Sequence, residues 1–397
     1  MQNLIKFPLL FLLIASLIGL TLRWHYFQPI PGFQYTYWLH AHSHVMFLGW
    51  VFNALSIGFV IHLLPEYRHS SYKRIFYVLN ALVAGMLITF PLQGYGVYSI
   101  AVSTLHTVAV TYFCFRFFKD TRDTKQHIGI WMARIALIFF LISAVGPFVV
   151  GILAANGLGQ SDWYHLAVYY YLHFQYNGVF TFGVFALFFA LLAQNGIHLA
   201  NAKTFGILLM VSCFPAYALS ALWTNPPIGV HVIGLLAAVG QLLALYYLCS
   251  GMRHNWALIT KAFSLPSKVL LTSAGVAFII KLGLQLLSVH PRIAMLAYEI
   301  RFYVIAYLHL VLIGMVSLFL LAWYNEKAGK LQFRMVYVVL IVVGFLITEL
   351  IMITVTFEHG FNVSKTLAYA SLPMIIGIAG ITLDAIRMKS SYNKVRG

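Results

Sequence analysis

Long apolar runs separated by short polar bursts repeat along this chain from its first residues to its last. A bilayer core of about 30 Å is crossed by about 20 residues of helix. On that measure, spans are predicted near residues 6–22, 40–64, 75–92, 97–115, 133–153, 166–193, 205–223, 229–250, 269–288, 302–323, 335–356 and 366–386. The count is about twelve, and it is least secure at Gly94–Gly96, where two runs lie almost end to end. The first 22 residues also have the look of a signal peptide. No small-x-small site closes them, so they are read as the first span. No linker, low-complexity tract, soluble insertion or clear internal repeat interrupts the series. The expected fold is therefore an all-α integral membrane protein, a single transmembrane domain over residues 1–397.

Composition agrees with the pattern. Hydrophobic residues make up 61% of the chain and charged residues 9%, where a soluble domain carries roughly a quarter charged residues. The net charge of +16 would suit a nucleic-acid binder, but the basic residues form no single patch, so nucleic acid is not expected as a partner. Their placement sets orientation instead. With the N-terminus inside, 20 Lys and Arg fall on the inner side. Four fall outside (Arg23, Arg292, Arg301, Lys365), and Lys281 lies within a span. Both termini are expected in the cytoplasm and the lipid bilayer is the first partner, most naturally the plasma (inner) membrane. Cys114, Cys213 and Cys249 lie in apolar runs without CxxC or CxxCH spacing. That argues against covalently attached heme, a zinc knuckle or a disulfide framework.

The 16 histidines are informative by depth. Ionisable groups within a membrane are costly, so each is a functional candidate. His40, His42, His44, His106, His173, His231 and His309 all fall in the outer half of spans that run inward. Histidines from several helices at one depth are what a bundle needs to hold a porphyrin edge-on, with an imidazole on each side of the iron. Single histidines at helix ends (His62, His165, His198, His254) read as interfacial, and His25, His69, His127, His290 and His359 as solvated loop residues. Residues two apart on a helix point about 200° apart and residues four apart share a face. His40 and His44 thus look one way and His42 the other, and geometry alone does not say which face meets a ligand. Lys281 and Glu349 lie deep in their spans at similar distance from the inner face, so they are expected either to pair or to relay protons. His231, in PPIGVHVIG, joins them as a candidate for a proton path.

The run HAHSHVMFLGWVFNALSIGFVIHLLPEY resembles the second helix of subunit I of the heme–copper oxidases, and RFYVIAYLHLVLIGMVSLFLLAW resembles the tenth. Matching Val45-Met46 to the family's Val-Met, with Gly58-Phe59 and Pro65 in register, implies His42 as one axial ligand of a low-spin heme. His309 takes the position of the other. Twelve helices with both termini inside also agree with that family. The resemblance covers the whole chain in topology and two helices well in motif. Departures are equally specific. Tyr307 stands where the family places the proximal histidine of its high-spin heme. His173 stands where the family has a copper ligand, but Phe174-Gln175-Tyr176-Asn177 follow it. FGILLMVSCFPAYALSALW has no His-His pair, and Tyr217-Ala218 stand in that neighbourhood. Copper wants about three imidazoles, so copper is not expected.

What the resemblance implies is one low-spin, b-type, bis-histidine heme on His42 and His309, transferring single electrons in a respiratory chain. A quinol, a cytochrome or another membrane subunit would be its partner. A divergent oxygen or nitric oxide reductase, or a nitric-oxide-response heme protein, is the alternative. Its second site would be built from His173, Tyr176, Tyr307 and His106. In that arrangement Tyr307 faces the space of a high-spin heme, and with no heme there its phenol is expected to hydrogen-bond to a neighbour such as His173. A transporter or structural subunit without heme is the third reading.

Overall fold

A computed structural model of the chain describes residues 4–124, 127–327, 332–354 and 362–394. Lys125, Lys330, His359 and Arg396, which enter the charge and histidine readings above, lie outside the described residues. The chain is a multi-pass, all-α membrane protein. Among the described residues, twelve helices are long and apolar enough to span: Lys6–Phe27, Tyr35–Leu63, Glu66–Gln93, Val97–Asp120, Ile128–Ala155, Asp162–Gln194, Ala202–Thr224, Ile228–His254, Leu265–Leu287, Arg301–Glu326, Met335–Thr354 and Val363–Arg387. They are numbered 1 to 12 below. Each matches a predicted run, and several extend past it. Span 3, for example, continues over the polar stretch from Glu66, since charged side chains at a helix end stay helical while they reach water. A short helix, Pro291–Glu299, lies in the connection between spans 9 and 10.

The doubtful turn between spans 3 and 4 is real. Gly94 holds φ at +58°, and a Cβ there would lie 2.5 Å from the Tyr37 ring, so only glycine fits.

The single expected domain is built as two compact units, each made of separate stretches. Unit 1 comprises Met1–Arg116, Ser264–Ser273 and Ser317–Gly397. In it spans 1, 2 and 3 pack in sequence, and span 12 packs on spans 1 and 11. Its polar groups are used as ties. The Trp50 indole donates to Ser317 Oγ at 2.9 Å, and the Trp323 indole donates to His62 Nε2 at 2.9 Å. His62 is thus bonded inside the fold, where the sequence suggested an interfacial group. Asn325, fully enclosed, donates to Ser264 Oγ and Ser267 Oγ, each at 2.8 Å, and accepts from the Phe333 amide at 2.7 Å. Buried amides keep their place when such bonds are complete.

Unit 2 comprises Phe117–Phe263 and Ala274–Val316. Here span 5 packs on span 6, and span 7 on span 8. Gln175 donates to Ser143 Oγ at 2.9 Å, the Tyr217 phenol donates to the Leu166 carbonyl at 2.9 Å, and Trp223 stacks on Tyr298. At the start of span 5, His127 caps the helix, its Nδ1 accepting from the Gly129 amide at 3.0 Å. Burial, and then His198 nearby, push this imidazole below its ordinary 6.5. Only the neutral ring can accept the bond, so the stabilisation is complete above the unfolded value of about 6.5. It is lost as the pH falls below that value towards the folded one. His127→Asn keeps a capping acceptor and removes the titration. The variant is expected to lose less thermal stability than the wild type between about pH 7 and about pH 5. Parallel melting curves that superimpose on the wild type would refute this role.

Candidate functional site

Three spans pass into π-helix along their length, and each π segment follows a histidine. A π-helix runs over Val45–Phe52 directly after His44, another over Phe174–Phe180 directly after His173, and a third over Leu310–Ser317 directly after His309. A π turn is wider and less well packed than an α turn and persists mainly where a site needs it. Spans 2, 6 and 10, which carry these segments, are also the most deeply buried of the twelve.

His42, in unit 1, is the best-prepared imidazole. Its Nδ1 donates to the Ala15 carbonyl of span 1 at 2.9 Å, which fixes the tautomer and leaves Nε2 with its lone pair. Span 1 comes this close because residue 19 is glycine: a Cβ there would stand 3.1 Å from His42 Cε1. His40 and His44 face the other way, towards Phe90 of span 3 and Tyr95, as the helical step requires. His106 of span 4 is fully buried beside Phe52.

Unit 2 holds His309, His173, Tyr176, Tyr307, Lys281 and His231. His309 is the last residue before its π segment. His173 is enclosed and both ring nitrogens are engaged: Nε2 donates to the Cys213 carbonyl at 2.9 Å, and Nδ1 accepts from the Asn177 amide at 3.1 Å. No lone pair is left on it for a metal in this arrangement, and it does not serve as the partner expected for the Tyr307 phenol. Tyr307 instead lies edge-on to Tyr176 with ring centroids 6.1 Å apart, and Ser220 lies near the Tyr176 phenol. Lys281 is buried, its ammonium 5.8 Å from the Phe278 ring centroid, with Cys213 and His173 as its titratable neighbours. His231 donates from Nδ1 to the Val289 carbonyl at 3.0 Å, a tie to the end of span 9.

The expected Lys281–Glu349 pair joins residues of different units, and within its own unit Glu349 has another opposite charge. Arg23 lies in span 1, and the expectation that it is an outer-loop cation is corrected by the continuation of the helix to Phe27. It donates to Ser371 Oγ and is the cation that acts on Glu349. Among the described residues, no three His, Cys, Asp or Glu side chains gather closely enough to hold a metal ion.

Several participants are invisible to motif reading. The Ala15 carbonyl carries no side-chain signal, and Asn177 becomes His173's partner only through the helical i,i+4 step. Gly19 is a glycine within an apolar run, and that is the one signal of its role. Neither a family model nor a curated protein matches the chain.

Proposed function

We propose that this chain is a heme-binding membrane protein in which His42 and His309 supply the axial imidazoles of one b-type heme. The observation that carries the reading is the His42 ring: half-buried just before an α–π junction, oriented by a backbone carbonyl on Nδ1, and left with Nε2 to bind iron. Ligating imidazoles are commonly held this way, with the second nitrogen tied to a carbonyl. The His42 ring suits an axial ligand of that group. Bound between two imidazoles, it would supply one-electron transfer, and the protein's part is to fix the rings and exclude water. A quinol, a small cytochrome or another membrane subunit would be the redox partner. On this reading the bilayer is the plasma membrane and both termini are cytoplasmic, an orientation that the bias of Lys and Arg supports.

The test is the reduced-minus-oxidised spectrum of the purified protein, with metal analysis from copper-replete cells. Sharp low-spin bands, one heme per chain, no response to carbon monoxide and well under one copper per chain are expected. A stoichiometric copper content or a carbon-monoxide-reactive component would favour the reductase reading, for which the buried Lys281 and Tyr176 and the half-buried Tyr307 are the available groups. The absence of any heme absorption would leave the transporter or structural reading.

A further inference from the structure

The short helix Pro291–Glu299 in unit 2 has no part in the heme reading, and its surroundings give it another use. Three residues separate it from the end of span 9 at Leu287, and Ile300 alone separates it from the start of span 10 at Arg301. It is therefore held at the membrane surface where those two spans are joined. It packs on the closing turns of span 7 and the first turns of span 10. Tyr298 stacks on Trp223 at the end of span 7, ring centroids 4.5 Å apart, and Trp223 in turn meets His165 and Tyr169 near the start of span 6. Trp163, on the same opening turn of span 6, is exposed. Tryptophan and tyrosine gather where a membrane protein passes from acyl chains to headgroups. These rings mark the depth of the helix as that boundary.

Successive residues of a helix step about 100° round its axis, and this one divides into three sides. Ala294, buried, and Tyr298, one turn on, face the bundle. Ile293, Leu296 and Ala297 fall on a second side, where Ile293 is 38% and Leu296 43% exposed although both are large and apolar. Arg292 and Glu299, both exposed, share the third. The sides lie about a third of a turn apart. The second side continues the lipid-facing surface of span 9, whose last turns expose Leu284 and Leu287. A helix with one side for protein, one for acyl chains and one for water is shaped to lie in the plane of the membrane interface.

We propose that Pro291–Glu299 is an interfacial anchor: it lies along the phospholipid surface, with Ile293 and Leu296 among the outer ends of the acyl chains and Arg292 and Glu299 at headgroup level. The stack of Tyr298 on Trp223 ties that anchorage to span 7. The anchor does not depend on whether heme is bound.

Its test uses the full chain in phosphatidylcholine bilayers, with the three cysteines replaced by alanine and a nitroxide label placed in turn through Ile293→Cys, Leu296→Cys and Arg292→Cys. Leu236→Cys, at an exposed position of span 8, supplies the reference for lipid contact. Power saturation reads collision with oxygen, which concentrates among acyl chains, and with a water-soluble nickel chelate. The ratio of oxygen to nickel collisions should be at least threefold higher for the labels at 293 and 296 than for the label at 292, and should approach that at 236. Equal ratios at all three helix positions, with nickel reaching each, would put the apolar side in water and overturn the proposal. Shielding of 293 and 296 from both reagents would overturn it as well, because protein, a second copy of this chain, would then be what covers that side. The two apolar positions report independently, so either one carries the test if the other variant does not accumulate.

Discussion

His42→Ala is expected to abolish the low-spin heme spectrum, leaving either no bound heme or a five-coordinate form that reacts with carbon monoxide. The methyl group cannot replace a nitrogen donor, and nothing else on that face of span 2 offers one: His40 and His44 point at Phe90 and Tyr95. His40→Ala should therefore keep the wild-type spectrum. His309→Ala should repeat the loss. Orientation of the ring gives a graded version of the same test. Gly19→Val puts carbon into the 3.1 Å gap beside His42 Cε1, pushing the ring off its bond to the Ala15 carbonyl while leaving the ligand in place. Disturbing the outer partner of a metal ligand typically costs 10–100-fold in metal affinity, and a heme-titration curve of Gly19→Val should fall in that range. Wild-type spectra from both His42→Ala and His309→Ala would remove the basis of the functional proposal.

The twelve spans were legible because a bilayer demands length and apolarity, and both are written in residue type. Their ends were not. Span 2 begins at Tyr35 and not near residue 40, because Tyr37, Trp38 and His40 are interfacial residues that hydropathy scores as neither side. Arg23 was misplaced for the same reason: its charge suggested a loop, while its aliphatic stem lets the helix continue to Phe27. The three π segments could not have been foreseen. VMFLGWVF and LVLIGMVS are apolar on every face, and π differs from α by one step in the hydrogen-bond ladder, which no side chain specifies. Helix Pro291–Glu299 did leave a signal, since Pro291 stands at its first position, where proline is favoured. Among candidate residues, the resemblance implied different roles for His42 and His173, but sequence could not say what either ring touches. His42 keeps a free nitrogen and His173 has none, and that difference is decided by a carbonyl of span 1 in one case and by Cys213 and Asn177 in the other.

Arg23→Met is expected to destabilise the protein by about 1–3 kcal/mol, the cost of leaving the partners of a lost charged donor unmet. Arg23 reaches from span 1 to Ser371 within span 12, and Glu349 of span 11 is the acid near enough to feel its charge. Without the guanidinium, Glu349 must either stay charged in a low-dielectric interior or take up a proton, and both choices weaken the fold relative to the pair. Combining Arg23→Met with Glu349→Gln removes the stranded charge, so the double variant should melt above Arg23→Met alone. Such non-additivity is the measure of coupling between two groups. The same comparison decides what Glu349 is for. If the carboxylate is a structural counter-ion, Glu349→Gln should lose stability while heme content and electron transfer at neutral pH stay near those of the wild type. If it relays protons, Glu349→Gln should instead keep most of its stability and lose proton-linked turnover. A double variant that melts no higher than Arg23→Met, together with a Glu349→Gln protein impaired only in proton-linked turnover, would move Glu349 from the scaffold to the proton path.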